Sequence, residues 1–370
     1  MQIKNRVYIT TSSSVSCAGK NNQILFKNIL SGCTGIKQDK EYFLNASPAL
    51  GKLDVEDTFF NVLLSECQNI LDKSQLDNYE ETLLVIGSSV GGMQSTEDIY
   101  MQTRNYADID PNMHHIQVIS KYLNNTFKFY DDVSFSTACT SSANAIGYAY
   151  EVLSKGLYKN VLVVGADSLS QTTVGGFLAL GVLSSAPCKP FDENRDGMNV
   201  SEAIACLLLE TEKKDGSIEV CGVGYSSDAY HMTHPKPKGE GAFLAMKKAL
   251  EVAKLKSNDI DYINAHGTGT EANDSAEAAA IVSLFPHKPF VSSTKSITGH
   301  TLGAAGALEA IISSLVIEQQ VLPSNPFLEN PSNPDIHLLD KVCKTEIQYV
   351  MSNSFAFGGN NCSLIFGRLT

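Results

Sequence analysis

What this chain lacks narrows it first. It has no basic excess: 28 lysines and arginines stand against 40 aspartates and glutamates, a net charge of −12. That argues against broad nucleic-acid binding, which needs a basic footprint, and against adhesion to anionic membranes. An acidic protein partner would need a local basic patch. No CxxC pair occurs among the nine scattered cysteines. Their odd number and spacing give no zinc framework and suit free thiols in a reducing cytoplasm. The opening MQIKNRVYITTSSSV has no long apolar core and no cleavage site, so no secretory leader is expected. No apolar run reads as long enough to span a bilayer. No low-complexity linker or long run of charge divides the chain.

What is present is a soluble, globular composition: 370 residues with 43% hydrophobic content, enough for a large core in one or two domains. Short apolar runs alternate with helical patterns in TLLVIGSSVGG (82–92), NVLVVGADSL (160–169), IDYINAHGTGT (260–270) and PFVSSTK (289–295). These runs are too continuous for half-exposed strands. Buried strands separated by helices predict an α/β architecture with helices covering sheets.

The order of features occurs twice. TLLVIGSSVGG resembles IDYINAHGTGT, a strand ending in a Gly/Ser/Thr turn. VSFSTACTSSANAIGYAYEVL (133–153) resembles FVSSTKSITGHTLGAAGALEAI, a strand, a polar turn and a small-residue helix. MNVSEAIACLLLE resembles MSNSFAFGGNNCSLIFG, read as a final hairpin. The pattern predicts a duplication with its boundary near residue 215, in TEKKDGS; chance similarity of βα units is the other reading. Helices as rich in Ala and Gly as SANAIGYAY and TLGAAGALEA can lie close to neighbouring sheets or to each other.

Cys139 falls on the turn between a strand and a helix. Unpaired N–H groups at a helix start favour an anion, lower a thiol pKa and can hold an oxyanion. This is the logic of a nucleophile elbow; the alternative is a small buried hydrophobe. His266 in NAHGTGT and His300 in STKSITGH stand on loops at strand ends, where α/β sites collect. The pairs His114–His115 and His231-x-x-His234 have no nearby Cys or carboxylate set, so no metal is expected. Glu309 lies inside the apolar GALEAII, where a carboxylate is costly unless paired. Lys295 could pair with it; otherwise Glu309 faces water. NSFAFGGNN (353–361) sets two aromatics beside Gly358 and Gly359, either a mobile aromatic gate on a glycine hinge or a core Phe and a hairpin turn.

Taken in order, STACTSS, PFDENRDG, SSDAYHMT, NAHGTGT, STKSITGHTLGAAGALEAI and NSFAFGGNN resemble the beta-ketoacyl-[acyl-carrier-protein] synthases, of the elongating type with a Cys–His–His set. The resemblance runs from RVYIT to the last strand. It implies a thiolase-like five-layered αβαβα fold of two duplicated halves, 1–215 carrying the cysteine and 216–370 the histidines. It implies Cys139 as acyl acceptor, with His266 and His300 handling the malonyl group and Lys295 and Glu309 holding the histidines. Thr268 and Thr270 would contact the malonyl unit or its pantetheine arm. Phe357 would be the gate, with Phe355 beside it, and the backbone N–H groups of Cys139 and Phe357 the oxyanion hole. No cofactor is implied. The partners implied are an acyl carrier protein and a second subunit, either a copy of the chain or a chain-length-factor-like protein.

The chain departs from the family pattern in places. After RDG it reads MNVSEAIA instead of a glycine-rich turn, with Ile204 and Ala205 bulkier than glycine. Gly181 stands where relatives often carry a basic residue used in carrier docking. The regions 40–80 and 93–133 look trimmed. These features point toward ketosynthases of type II polyketide clusters, including those for aryl polyenes. The expected reaction is decarboxylative Claisen condensation in the cytoplasm. Two other classes stay open: a non-catalytic partner subunit, and a cysteine hydrolase of thioesters.

Overall fold

The computed structural model describes residues 5–40, 47–228 and 230–369. Strands of three residues or more are numbered here. They are β1 (Tyr8–Ser16), β2 (Thr82–Gly87), β3 (Asp131–Phe135), β4 (Asn160–Asp167) and β5 (Ala203–Glu210), then β6 (Ile218–Ser227), β7 (Tyr262–Asn264), β8 (Phe290–Ser292), β9 (Tyr349–Phe355) and β10 (Asn360–Gly367). Helices of eight residues or more are α1 (Asn22–Ser31), α2 (Phe59–Lys73), α3 (Met93–Thr103), α4 (Gln117–Phe127), α5 (Ser141–Ser154), α6 (Gln171–Ala179), α7 (Glu240–Ala253), α8 (Glu271–Leu284) and α9 (Ala305–Gln319).

The strand order repeats. The first set runs β1-β5-β4-β2-β3, with β1, β5 and β4 antiparallel and β4, β2 and β3 parallel. The second runs β6-β10-β9-β7-β8 with the same sequence of directions. The two sets join where Tyr8 and Ile9 of β1 pair with Glu219 and Ile218 of β6. His337–Leu338 adds a short strand beyond β8.

Alternation of side chains along the strands builds the layers. On β5, Ala203, Ala205, Leu207 and Leu209 face a middle layer made by α5 and α9. Ile204, Cys206 and Leu208 face α2 and α4 on the outside. On β10, Cys362, Leu364 and Phe366 point to the same middle layer, and Ile365 points to α7 and α8. The result is helix, sheet, helix, sheet, helix. The small residues of α5 and α9 are what let them share the middle. A Cβ added to Gly306 would lie 2.5 Å from the backbone nitrogen of Ala143, and such overpacking costs about 1–3 kcal/mol.

Two sequence expectations differ from what the structure shows. MNVSEAIACLLLE is not a hairpin: it holds one strand, β5, whose antiparallel partner β4 lies across the segment 168–202. A segment that is long and apolar enough to cross a membrane does exist, Leu302–Gln319. It is apolar because it forms the middle layer, and 83% of it is buried. Ile204 and Ala205, bulkier than the glycines of the family pattern, sit in β5, fully buried on opposite faces. Of the regions read as trimmed, 93–133 holds α3 and α4 around two single turns, while residues 41–46 of the other lie outside the described residues.

Candidate active site

The elbow after β3 is tight. Ala138 takes a left-handed conformation (φ +51°), which costs an alanine roughly 1–2 kcal/mol. Cys139 follows, then Thr140 as the cap of α5. The Ser141 hydroxyl donates to the Ala138 carbonyl (2.7 Å) and accepts the Thr137 N–H (2.9 Å), closing the turn on itself. Strain held by local bonds of this kind places the thiol at the helix start.

The other half of the chain closes over it. One polar atom from each of Cys139, His266 and His300 lies within 4.8 Å of the others, all three side chains buried. The two imidazoles stand nearly perpendicular, ring centres 5.3 Å apart, with the Phe355 ring 6.1 Å from His266. The turn between β9 and β10 carries Phe357, which lines the same pocket as Cys139 and whose backbone N–H lowers the thiol. The Phe357 ring lies 6.1 Å from Phe177 of α6. Gly359 (φ +77°) has to be glycine, because a Cβ there would meet the Asp228 carbonyl oxygen at 1.5 Å.

Burial sets the electrostatics. The Cys139 thiol is pushed up to about 11 by burial, against the Lys295 cation and the N–H groups of Phe357 and Cys139 itself, which lower it. This corrects the expectation of a thiol acidified by its helix: enclosure outweighs the helix start. Burial and Lys295 also hold both histidines neutral, His300 down to about 3 and His266 well below its ordinary value. The Leu302 N–H donates to His300 Nδ1 (3.2 Å). A neutral ring that accepts at Nδ1 carries its proton on Nε2, and Nε2 has no partner among the described residues.

Lys295 and Glu309 are buried side by side as an ion pair. The reading in which Glu309 faces water is therefore wrong: α9 lies in the middle layer, away from solvent. Burial raises the Glu309 carboxyl, and Lys295 opposes the rise. Thr268 and Thr270 line the same pocket, their hydroxyls 2.8 Å apart. The pocket above Cys139 is tight, with a cavity volume of about 40 Å³.

Several residues here carried no sequence signal. Glu277 of α8 accepts the backbone N–H groups of His266 (2.9 Å) and Gly267 (2.8 Å) and the Asn353 amide (3.1 Å). Burial raises its carboxyl to about 7. Asp167, at the end of β4, accepts from Ser88 and Ser89, from the Val90 N–H, and from the Gly303 N–H beside Leu302. It ties the first half to the turn that orients His300. By contrast, His231 and His234, a pair visible in the sequence and not expected to hold a metal, sit at the pocket mouth, Nδ1 to Nδ1 3.2 Å. The periodicity of neighbouring segments gave no hint of these contacts. Only the HGTGTEANDSAE spacing, which returns Glu277 to the start of its own loop, could have suggested one.

Comparison with known proteins agrees with this geometry. Residues 51–215 match the family model "Beta-ketoacyl synthase, N-terminal domain", and residues 218–329 match "Beta-ketoacyl synthase, C-terminal domain". The chain is 33% identical to a 3-oxoacyl-[acyl-carrier-protein] synthase 2 of Coxiella burnetii, over 99% of both proteins. It is 30% identical to one from Staphylococcus aureus, over 100% of this chain and 99% of that protein. Among solved structures, it resembles the ketosynthase ApeO of Xenorhabdus doucetiae, determined in complex with its chain length factor ApeC. The TM-score is 0.90 at 32% identity, covering 99% of this chain and 98% of the other. A beta-ketoacyl synthase from Burkholderia phymatum superposes with a TM-score of 0.87 at 28% identity, over 99% and 100% of the two chains. This chain belongs to the beta-ketoacyl synthase family, with the thiolase-like fold.

Proposed function

We propose that this chain catalyses decarboxylative Claisen condensation, extending an acyl chain with malonyl-acyl carrier protein. The observation that carries the reading is the convergence of Cys139, His266, His300 and Phe357 on one pocket. In the first step the Cys139 sulfur attacks the acyl thioester. The new S–C bond forms as the carrier S–C bond breaks, and the thiol proton ends on the departing carrier sulfur. The N–H groups of Cys139 and Phe357 hold the oxyanion. In the second step the malonyl C–C bond breaks to release carbon dioxide, and hydrogen bonds from His266 and His300 stabilise the enolate oxygen. The enolate carbon then attacks the acyl group, the Cys139 S–C bond breaks, and the sulfur takes up one proton. Thr268 and Thr270 face the space for the malonyl unit or its pantetheine arm. Phe355 and Phe357 shape the entry, and Lys295 with Glu309 holds the histidines. The chemistry needs no cofactor or metal: a His300 locked with its proton on Nε2 is a donor, not a metal ligand.

We place the boundary of the halves at 215/216, in the connection between β5 and β6. The partners we propose are an acyl carrier protein and a chain-length-factor-like subunit, in the cytoplasm. ApeO, a relative at 32% identity, was determined with its chain length factor. On this chain, β3 is the outer strand of its sheet, with Asp131 and Asp132 exposed and the rest half-buried. Tyr130, next to it, is 72% exposed. A cleft of about 610 Å³ opens beside this edge, lined by Met93, His114, His115, Asp132 and Ser134. A second subunit laid on the edge would close that cleft. The product favoured is a polyketide or polyene chain. The alternatives are a homodimeric fatty-acid synthase, a non-catalytic partner subunit and a thioester hydrolase; Cys139 with both histidines argues against the last two.

Mass spectrometry of carrier-bound products, with a panel of acyl primers and malonyl-carrier, tests the reaction. A 3-oxoacyl product two carbons longer supports it; free acid alone points to a hydrolase. Solution mass and elongation assays, with and without a chain-length-factor-like protein, test the assembly. A homodimer that extends saturated chains alone overturns the proposed partner.

A further inference from the structure

The two halves each give one N–H to the oxyanion hole, and nothing covalent near the site fixes the gap between them. Cys139 rides on the elbow of the first half; Phe357 rides on the β9–β10 turn of the second. One side chain spans the gap. Asn360, the first residue of β10, has its Oδ1 2.9 Å from the Thr140 hydroxyl and 3.0 Å from the Asn144 amide nitrogen. Thr140 follows Cys139 directly, and Asn144 lies one turn into α5. The Thr140 hydroxyl has a single proton and also lies 2.7 Å from the Thr137 carbonyl and 3.0 Å from Thr137 Oγ1, so it can serve only one of the three acceptors. The Asn144 amide has two protons. It donates one to Thr137 Oγ1 (2.8 Å) and one to Asn360. The bridge therefore reaches both sides of the thiol.

On its other side Asn360 holds the turn. Its carbonyl accepts the Ala356 N–H (2.8 Å). Three other backbone bonds of that turn stay within the second half: Gly358 N–H to the Met232 carbonyl (2.8 Å), Gly359 N–H to the Ala356 carbonyl (3.1 Å) and Asp228 N–H to the Gly359 carbonyl (2.9 Å). Among the described residues, Asn360 supplies the side-chain hydrogen bonds from this turn to the elbow. We infer that Asn360 is a positioning residue that sets the spacing of the oxyanion hole by clamping the gate turn of one half to the nucleophile elbow of the other. The inference rests on the reading of Cys139 and the Phe357 N–H given above.

The clamp is open to test because it is not sealed in the core. Asn144 and Asn360 form part of the wall of a second cleft of about 500 Å³, with Phe135, Tyr148 and Tyr225. Water can therefore fill the space left by a truncated side chain. Asn360→Leu keeps the bulk and removes the acceptor; Asn360→Asp keeps an acceptor; Asn360→Ala and Thr140→Val are the controls for packing. The probe is a straight-chain acyl pantetheine thioester, and the readout is the rate of acyl-Cys139 formation by peptide mass spectrometry. A misplaced donor costs on the order of 10²-fold, so Asn360→Leu and Asn360→Ala should acylate roughly 10- to 100-fold more slowly. Their KM for malonyl-carrier should stay near wild type, as should malonyl decarboxylation, because His266 and His300 both stand in the second half. Asn360→Asp should recover most of the rate. Thr140→Val should show a smaller loss than Asn360→Leu. Wild-type rates in Asn360→Leu or Asn360→Ala would overturn the inference, as would equal loss of acylation and decarboxylation, or failure of Asn360→Asp to rescue. If the wild-type protein forms no acyl-Cys139 at all, the nucleophile assignment fails instead.

Discussion

Lys295→Met removes the cation from a pair in which both partners are almost wholly buried. Among the described residues the lysine alone satisfies Glu309: one carboxylate oxygen pairs with it and the other has no partner. Breaking a buried pair from one side typically costs about 3–5 kcal/mol, because a charge is left in a medium that cannot solvate it. The carboxylate has one escape, which is to take up a proton. Burial already raises the Glu309 carboxyl while Lys295 is present, and loss of Lys295 removes the opposing effect. The folded-state pKa then stands well above the unfolded value of about 4.3. A group raised in this way favours the folded state fully below its unfolded pKa, and that contribution is lost as pH rises through the folded pKa, at about 1.4 kcal/mol per unit. Lys295→Met should therefore be least damaging in mild acid and most damaging at alkaline pH. Urea unfolding at about pH 6 and about pH 8.5, beside the wild type, reads the difference. The double variant Lys295→Met/Glu309→Leu, with no charge left to bury, should regain most of the stability. It should not regain activity, because the cation also lowers the Cys139 thiol and keeps both imidazoles neutral. A single variant destabilised equally at both pH values, or a double variant no more stable than the single, would show that Lys295 is not what compensates Glu309.

Other consequences can be checked separately. Cys139→Ala should abolish condensation yet retain malonyl decarboxylation, since the histidines remain; equal loss of both activities, assayed by carbon dioxide release, would sink the division of labour. With its thiol pushed up to about 11, substrate-free Cys139 should react slowly with iodoacetamide near neutral pH and faster by roughly tenfold per unit as pH rises toward that value. The exposed Cys33 should label first, and fast labelling of Cys139 near pH 7 would contradict the effect of burial. His300→Ala should still accept an acyl group but decarboxylate about 100- to 1000-fold more slowly. Because both histidines are held far below their ordinary pKa, decarboxylation in the wild type should show no acid limb near pH 6.5; a limb there would mean that one of them titrates in the working range.

The sequence by itself determined the repeated strand-turn-helix pattern, the elbow at Cys139, the loops carrying His266 and His300, and the family resemblance. Each is local: a period of two or of three to four, or a short run of small residues at a strand end, can be read from neighbours along the chain. It left open whether Glu309 was paired, because a carboxylate on an apolar helix faces water or a partner depending on which layer the helix enters. It also misjudged the thiol. A helix start is legible in STACTSS, but the second half of the chain that encloses Cys139 is not, and enclosure decides its pKa. Residues 302–319 have a membrane-like composition only because α9 is surrounded by protein on all sides. Asp167, Glu277, Asn144 and Asn360 were invisible for the same reason. Their partners are backbone N–H groups and side chains brought together when the two halves closed on each other, and no spacing along the chain records such contacts.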